Sequence, residues 1–294
     1  MDLFEIINQP TTEEFKRLYH GRGEKTYPFL TIDSIDETLF IQFYEKVDEK
    51  PFLEIFKKAP EKYKNIIVKR RYENEKCKVK SEKLFALRGI IPDNAVAIEN
   101  DMKFKLNFYN QNIGYFGDTR NARSYVEKIS KGKKVLNLFA YTCGFSLFAR
   151  KGGAKYIANV DMNKSVLATG MANHRINSLD IKNISFWPYN ILKAFAKMKK
   201  HAPYDIIIID PPTHQKGSFV ASKDYIKIIK KLPSLSHQNT TLLACINDPK
   251  TTKKDFISLI EENTEFKVKE EITPPEEYMD SSLKSIVFTS YYKH

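Results

Sequence analysis

What this sequence has little of narrows it first. Its three cysteines, Cys77, Cys143 and Cys245, are odd in number, scattered, and nowhere spaced as CxxC. That argues against a disulfide-stapled scaffold and a thiolate metal centre, and it fits a reducing, cytoplasmic setting. No run approaches the roughly 18 apolar residues of a membrane span. The opening MDLFEIINQP lacks the basic flank and apolar core of a secretory signal. Glycine is sparse, eleven in 294 residues, and no GxGxxG occurs. Without that close backbone approach a pyrophosphate is poorly served, which argues against a nicotinamide dehydrogenase. There is no internal repeat and no low-complexity tract.

What is present is charge, chiefly positive. Forty-eight Lys and Arg against 36 Asp and Glu leave a net +12, in a chain that is 42% hydrophobic and 29% charged. The hydrophobic share suits a globular protein with a buried core. The positive excess favours a polyanionic partner such as RNA or DNA, although a Lys-rich proteome gives the same excess. VKRRYENEKCKVK interleaves cations with Tyr72 and is a candidate for phosphate and base contacts; KMKKHAP is equally well read as solvated surface. YHGRGE permits a phosphate-facing loop, but a helix-ending turn is the simpler reading.

Two rhythms divide the chain. Residues 1–107 carry short alternating runs (FLTIDSI, TLFIQFY, NIIVKRRY, AVAIEN, KFKLNFY) with helical stretches at TEEFKRLYHG and FLEIFKKAPEKY. They read as a small, β-rich α+β domain with an antiparallel sheet. Across residues 108–294 strands alternate with single helices: KVLNLFA, YIANVD, ISFWPYN, YDIIIID and TTLLACIN, then FKVKEEIT and KSIVFTSYY with no helix between them. This predicts an α/β, Rossmann-like sheet of seven strands, parallel through right-handed crossovers and closed by a C-terminal β-hairpin.

Chemistry-bearing residues converge on the carboxyl ends of those strands. YDIIIID shows no polar alternation, as expected of a central strand covered on both faces, and Pro211 and Pro212 must end it. Asp210 therefore stands at the edge where open α/β sheets bind ligands. The first strand runs into FAYTCGFSLFARKGG, a loop with the single glycine Gly144 and the aromatics Phe139, Tyr141 and Phe145, which suits an uncharged or cationic ligand. A plain tight turn into a helix is the bland alternative. Seventeen residues past Gly144, Asp161 falls where an acid accepts bonds from ribose hydroxyls, unless it caps the next helix, a task Asn163 can perform. Asn190 closes the third strand, near an adenine position.

NLFAYTCGFSLFARKGGA, VDMNKSVLATGMANHRIN and IIIDPPTHQKGSF resemble class I S-adenosylmethionine-dependent methyltransferases, more narrowly the bacterial group of 23S rRNA cytosine-C5 and guanine-N7 methyltransferases. NQNIGYFGDTRNARSYV is similar to that group's G-x-F-x-D-x-R lead-in. The resemblance covers residues 108–294 well and weakens before them, and the RNA-binding PUA domain of some relatives is expected to be absent. It implies S-adenosylmethionine as cofactor, no metal, and RNA, ribosomal RNA foremost, as partner. It places Asn137, Phe139, Ala140, Thr142 and Gly144 along the methionine and ribose end, Asp161 on the ribose, and Met162 on the adenine. Asn190 stands where the group commonly has an Asp; Phe116 and Arg120 would touch cofactor or substrate.

Asp210 and Pro211 are candidate catalytic residues, because methyl transfer from a sulfonium needs chiefly alignment, and a strand tip locked by prolines offers fixed acceptors to a base edge. Thr213 stands where amine-methylating enzymes place a stacking aromatic, so stacking would fall to His214 or Phe219. Cys245 lies close to where C5-methylating relatives hold a nucleophilic Cys, with Ala244 and Ile246 beside it instead of serines. It is either that nucleophile or a small core residue; Cys143 is read as packing. The competing functions are a small-molecule or protein methyltransferase and a non-catalytic RNA-binding protein with a retained cofactor pocket.

Overall fold

The computed structural model describes residues 2–22, 24–72, 83–215, 217–278 and 283–291, so Cys77 and residues 73–80 of the basic segment lie outside the described residues. Contacts divide the chain into two units, Met1–Gly117 with Pro275–Ser281, and Asp118–Pro274 with Ser282–His294.

In the first unit, helix α1 (Leu3–Ile7) is capped by Asp2, whose carboxylate accepts from the Phe4 amide. Strands β1 (Lys16–His20), β2 (Leu30–Ile35), β3 (Thr38–Phe43), β4 (Asn65–Arg70) and β5 (Leu84–Arg88) form a five-stranded sheet in chain order. Two sequence expectations change here. TEEFKRLYHG is not helical but contains β1, whose register with β2 shifts between Arg17 and Tyr19. The shift lets the adjacent Leu18 and Tyr19 both be buried, so with Phe15 they mimic a helix stripe in the sequence. The sheet is also not purely antiparallel, because β3 and β4 pair in parallel. Helix α2 (Lys50–Phe56) lies in the long connection that returns the chain to the same end of the sheet, as parallel pairing requires. A separate hairpin, β6 (Val96–Glu99) with β7 (Met102–Lys105), turns through Asn100 and Asp101, both at positive φ.

In the second unit, β8 (Lys134–Leu138), β9 (Tyr156–Val160), β10 (Ile184–Trp187), β11 (Tyr204–Ile209), a small hairpin of β12 (His214–Gln215) and β13 (Phe219–Val220), then β14 (Ser236–Ile246), β15 (Phe266–Ile272) and β16 (Lys284–Ser290) follow in sequence. The seven-stranded sheet has the order β10-β9-β8-β11-β14-β16-β15. Its first five strands are parallel, and β16 runs antiparallel to both β14 and β15. The connection between β15 and β16 is longer than a tight turn: Pro275–Ser281 belongs to the first unit, where the Arg17 guanidinium lies 4.9 Å from the buried Tyr278 ring centroid. The helices are α3 (Arg120–Ile129), α4 (Gly144–Lys151), α5 (Lys164–Ile176), α6 (Phe195–Lys200), α7 (Ala221–Ile229) and α8 (Lys253–Glu261).

The isoleucine run explains the layering. Ile207 and Ile209 join Leu136, Leu138 and the buried residues of α7 and α8 on one face. Ile206 and Ile208 join Val135, Ala122 and Val126 of α3 and Phe145 of α4 on the other. Strand order reverses between β8 and β11, the kind of switch point at whose carboxyl edge open α/β sheets bind ligands. Among the described residues no helix is long and apolar enough to cross a membrane.

Candidate functional site

The loop after β8 takes a backbone its sequence does not advertise. Phe139, Tyr141 and Cys143 have φ of 57°, 47° and 64°, the left-handed region that costs a non-glycine residue about 1–2 kcal/mol. Surrounding bonds hold it there. Ala140 N donates to Val160 O (3.1 Å) and Cys143 N to Ala140 O (2.7 Å). Tyr141 N donates to Asp161 Oδ2 (3.0 Å) and Asn173 Nδ2 to Thr142 O (3.1 Å). The Phe139 ring packs on Phe219 at 4.7 Å between centroids. The glycine that permits this approach is on α5: a Cβ at Gly170 would collide with Cys143 Sγ and lie 2.8 Å from its Cβ. Cys143 is fully buried, and burial pushes its thiol pKa well up, so it packs.

Asp161, at the end of β9, is 5% exposed. Its Oδ2 is held by Tyr141 N, its Oδ1 by Asn163 N (2.9 Å), and each oxygen keeps a further lone pair. Burial raises its pKa, and the two amides oppose that. Asn163, not Asp161, caps α5 through Ser165 N and Val166 N. Met162 and Tyr189, after β9 and β10, expose apolar surface. Asn190 Oδ1 accepts from Leu192 N (2.9 Å) and caps a short 3₁₀ turn.

Asn137 on β8 is 1% exposed. Its Nδ2 donates to Asn159 Oδ1 (2.9 Å), while its Oδ1 is buried without a hydrogen-bond partner. A polar atom in that condition costs about 1–3 kcal/mol, so it marks where a donor is missing.

Around β11 and β14 the chemistry differs. The Asp210 pKa is pushed up to about 7 by desolvation and by the nearby Asp118 carboxylate, against the opposing pull of Arg123. Pro211 is buried, whereas Pro212, Thr213 and His214 are exposed. Phe219 is buried between Phe139 and Tyr225, which removes it as a stacking platform. Cys245 has no exposed surface; its Sγ lies 3.3 Å from Ser285 Oγ, and Tyr225 OH donates to its carbonyl (3.1 Å). Burial and the charge of Asp210 push its thiol pKa well up, the reverse of what a thiolate nucleophile requires. Arg120 opens α3 in this unit, whereas Phe116, 43% exposed, belongs to the first unit.

In the first unit the described part of the basic segment is largely engaged. Lys69 is buried and donates to Phe108 O (2.8 Å), its pKa lowered to about 7 by desolvation and then by Arg71 and Lys83. Arg70 pairs with Glu49 (2.8 Å), and Arg71 lies 5.7 Å from the Tyr44 ring centroid. A depression lined by Lys134, Lys155, His201, Asp205 and His237 opens at the amino-terminal edge of the larger sheet, away from the switch point. Among the described residues no group of three or more His, Cys, Asp or Glu is placed to hold a metal ion.

Sequence reasoning missed the left-handed loop, Gly170 and the buried partners of Asn137. Only the glycine, quoted within VLATGMANHRIN, left a local signal: an unexplained Gly inside a helix pattern.

Comparison with known proteins agrees with this geometry. Residues 16–288 match the model of the S-adenosylmethionine-dependent methyltransferases. The Bacillus subtilis protein named "Putative ribosomal RNA large subunit methyltransferase YwbD" is 28% identical over 277 residues, 89% of this chain and 69% of that protein. Ribosomal RNA large subunit methyltransferase I of Aeromonas salmonicida is 36% identical over 134 residues, 45% of this chain. Methyltransferase K/L of Shewanella sp. (strain ANA-3) is 32% identical over 191 residues, 62% of this chain. The matches cover only 34% and 27% of those last two proteins. Among solved structures, SMU.776 complexed with SAH superposes with a TM-score of 0.83 at 24% identity, covering 94% of this chain and 75% of that one. The Methanocaldococcus jannaschii tRNA m1G37 methyltransferase gives 0.66 at 17%, covering 92% and 76%. At those identities the structural likeness concerns the fold.

Proposed function

We propose, for a chain that belongs to the S-adenosylmethionine-dependent methyltransferase family, a base in structured RNA as methyl acceptor, ribosomal RNA foremost. The observation that carries the site is the pairing of an orphaned acceptor, Asn137 Oδ1, with the two-pronged acceptor Asp161 at adjacent strand ends. S-adenosylmethionine presents a ribose diol, an ammonium and an adenine amine, all donors, and no phosphate. A loop poor in glycine and rich in aromatics fits that ligand.

When bound, the cofactor supplies an electrophilic methyl on a sulfonium, with a neutral thioether as leaving group. Asp161 would take the ribose hydroxyls, Asn137 and the Phe139–Gly144 loop the methionine end, and Met162 and Asn190 the adenine side. Asp210 and the Pro211 carbonyl would align the acceptor base. A carboxyl with a pKa of about 7 can receive the proton released by a methylated nitrogen. The buried Cys245, whose thiol pKa is pushed well up, argues against addition at C6 and so against a C5 target, which leaves nitrogen or oxygen. RNA is favoured by the net charge of +12 and by the relatives' names, with residues 1–107 as the RNA-contacting domain. The test is transfer of labelled methyl from S-adenosylmethionine to total RNA from cells lacking this gene, with wild-type RNA as control. Label confined to RNA from the deletion strain is expected; absence of label from both, with cofactor binding intact, would redirect the search to a protein or small molecule.

A further inference from the structure

Asn137 does not choose its orientation alone. Behind it runs a chain of fully buried polar side chains from four elements of the second unit. Asn137 Nδ2 meets Asn159 Oδ1 (2.9 Å), and Asn159 Nδ2 meets Ser146 Oγ (3.0 Å). Ser146 Oγ lies 3.0 Å from His174 Nε2, and His174 Nδ1 lies 2.8 Å from the Gly170 carbonyl oxygen. Asn159, Ser146 and His174 each have 0% exposure.

The direction of every bond follows from the last one. A backbone carbonyl only accepts, so His174 Nδ1 carries the hydrogen. Burial lowers the His174 pKa, which keeps the ring neutral, and a neutral ring with Nδ1–H has an acceptor at Nε2. Ser146 must then donate its hydroxyl to Nε2 and accept from Asn159 Nδ2. That turns Asn159 Oδ1 toward Asn137, which must answer with Nδ2. The amide oxygen of Asn137 is left over, buried and unsatisfied. Reversing any link would set two donors or two acceptors face to face.

We infer that His174, Ser146 and Asn159 are positioning residues: a one-way hydrogen-bond relay, anchored on the Gly170 carbonyl, that locks Asn137 with its oxygen left free of an internal donor as the acceptor for the ammonium of the cofactor's methionine end. The inference rests on the cofactor reading above. An unlocked asparagine could present either end of its amide, and the NH₂ end would oppose an ammonium. With the ribose diol assigned to Asp161 and the adenine side to Met162 and Asn190, the ammonium is the donor for which this oxygen remains.

Two measurements test it. Calorimetry compares S-adenosylhomocysteine with 5′-methylthioadenosine, which lacks the amino-acid end, on wild type, Ser146→Ala, Asn159→Asp and Asp161→Ala. Ser146→Ala strands Asn159 Nδ2 and should weaken S-adenosylhomocysteine by about tenfold while leaving methylthioadenosine within about twofold. Asn159→Asp sets a second acceptor against Ser146 Oγ, the clash the relay forbids, and should weaken S-adenosylhomocysteine at least as much as Ser146→Ala does while sparing methylthioadenosine. Equal losses for both ligands, or no loss in Ser146→Ala, would overturn the relay. A wild type that binds neither ligand would overturn the cofactor reading instead, and a loss confined to Asp161→Ala would keep that reading and discard the relay. The second measurement needs no variant: long-range ¹⁵N–¹H NMR of the wild type at neutral pH should show His174 as the Nδ1–H tautomer. An Nε2–H tautomer or an imidazolium would refute the relay directly.

Discussion

Two stretches of one sheet edge, on neighbouring pairs of strands, solve opposite problems. At the ends of β8 and β9 nearly every buried polar atom is paired: the loop amide of Tyr141 with Asp161, the Thr142 carbonyl with Asn173, and Asn137 with Asn159. One acceptor is left without a partner. At the ends of β11 and β14 desolvation acts on groups that change charge, raising Asp210 to about 7 and the Cys245 thiol well above its usual value. In the proposed function the first region recognises a fixed ligand, because hydrogen-bond direction is settled before the ligand arrives. In the same proposal the second holds or releases a proton, because desolvation and the Asp118 carboxylate outweigh the pull of Arg123 and move the carboxyl pKa toward neutrality. Low dielectric is common to both; whether a partner is supplied separates binding from chemistry.

The contrast breaks most readily at the carboxylate that ties the loop to β9. Asp161→Ala removes the acceptor of two backbone amides as well as the proposed ribose contact, and affinity for S-adenosylhomocysteine should fall by more than about tenfold. Calorimetry giving an unchanged Kd would take Asp161 out of the site.

The pH response of Asp210 sharpens the other side. Its folded pKa of about 7 lies above the roughly 3.9 of an unfolded Asp, so the folded state binds more protons between those values. The contribution of this group to stability is therefore fully present below about pH 4 and lost as pH rises through about 7. Asp210→Asn, which cannot ionise, should gain Tm relative to the wild type as pH is raised from about 5 to 8. Transfer by the wild type should rise with pH through a single ionisation near 7 that the variant lacks. Melting curves with the same pH dependence in both proteins would show that Asp210 is not the titrating group.

The smallest effect is expected at Cys245. A protonated core thiol contributes packing only, so Cys245→Ala should retain turnover within about threefold, a change of well under 1.4 kcal/mol in the barrier. Loss of turnover in a variant that still binds S-adenosylhomocysteine would restore the thiolate mechanism and a C5 target.

Much of the fold was legible because its signals are local. Four successive isoleucines in β11 bury on both faces, and the prolines that follow stop the strand at Ile209. The strand-then-helix rhythm gave the parallel sheet, and Asn163 served as the cap its position suggests. The failures have local causes too. In β1 a register shift buried two adjacent residues and counterfeited a helical spacing. The crossover that makes β3 and β4 parallel depends on where the chain returns, which no short window contains. The β8 loop hid its conformation because Phe139, Tyr141 and Cys143 occupy backbone angles that a reader expects of glycine.

By itself, then, the sequence determined the strand and helix periods, the ends of the strands, the excess of positive charge and the acids at the sheet edge. Each depends on neighbours a few residues away or on composition. Tertiary structure alone decided that three non-glycine residues turn left-handed, that a glycine on another helix makes room for them, and which end of the Asn137 amide is left without an internal partner. It also decided that desolvation pushes the Asp210 pKa up to about 7 and the Cys245 thiol pKa well above its usual value. Hydrogen-bond direction and desolvation are set by atoms brought together from distant parts of the chain: Asn137, Ser146, Asn159 and His174 meet across four separate elements, and no property of any one of them announces the others.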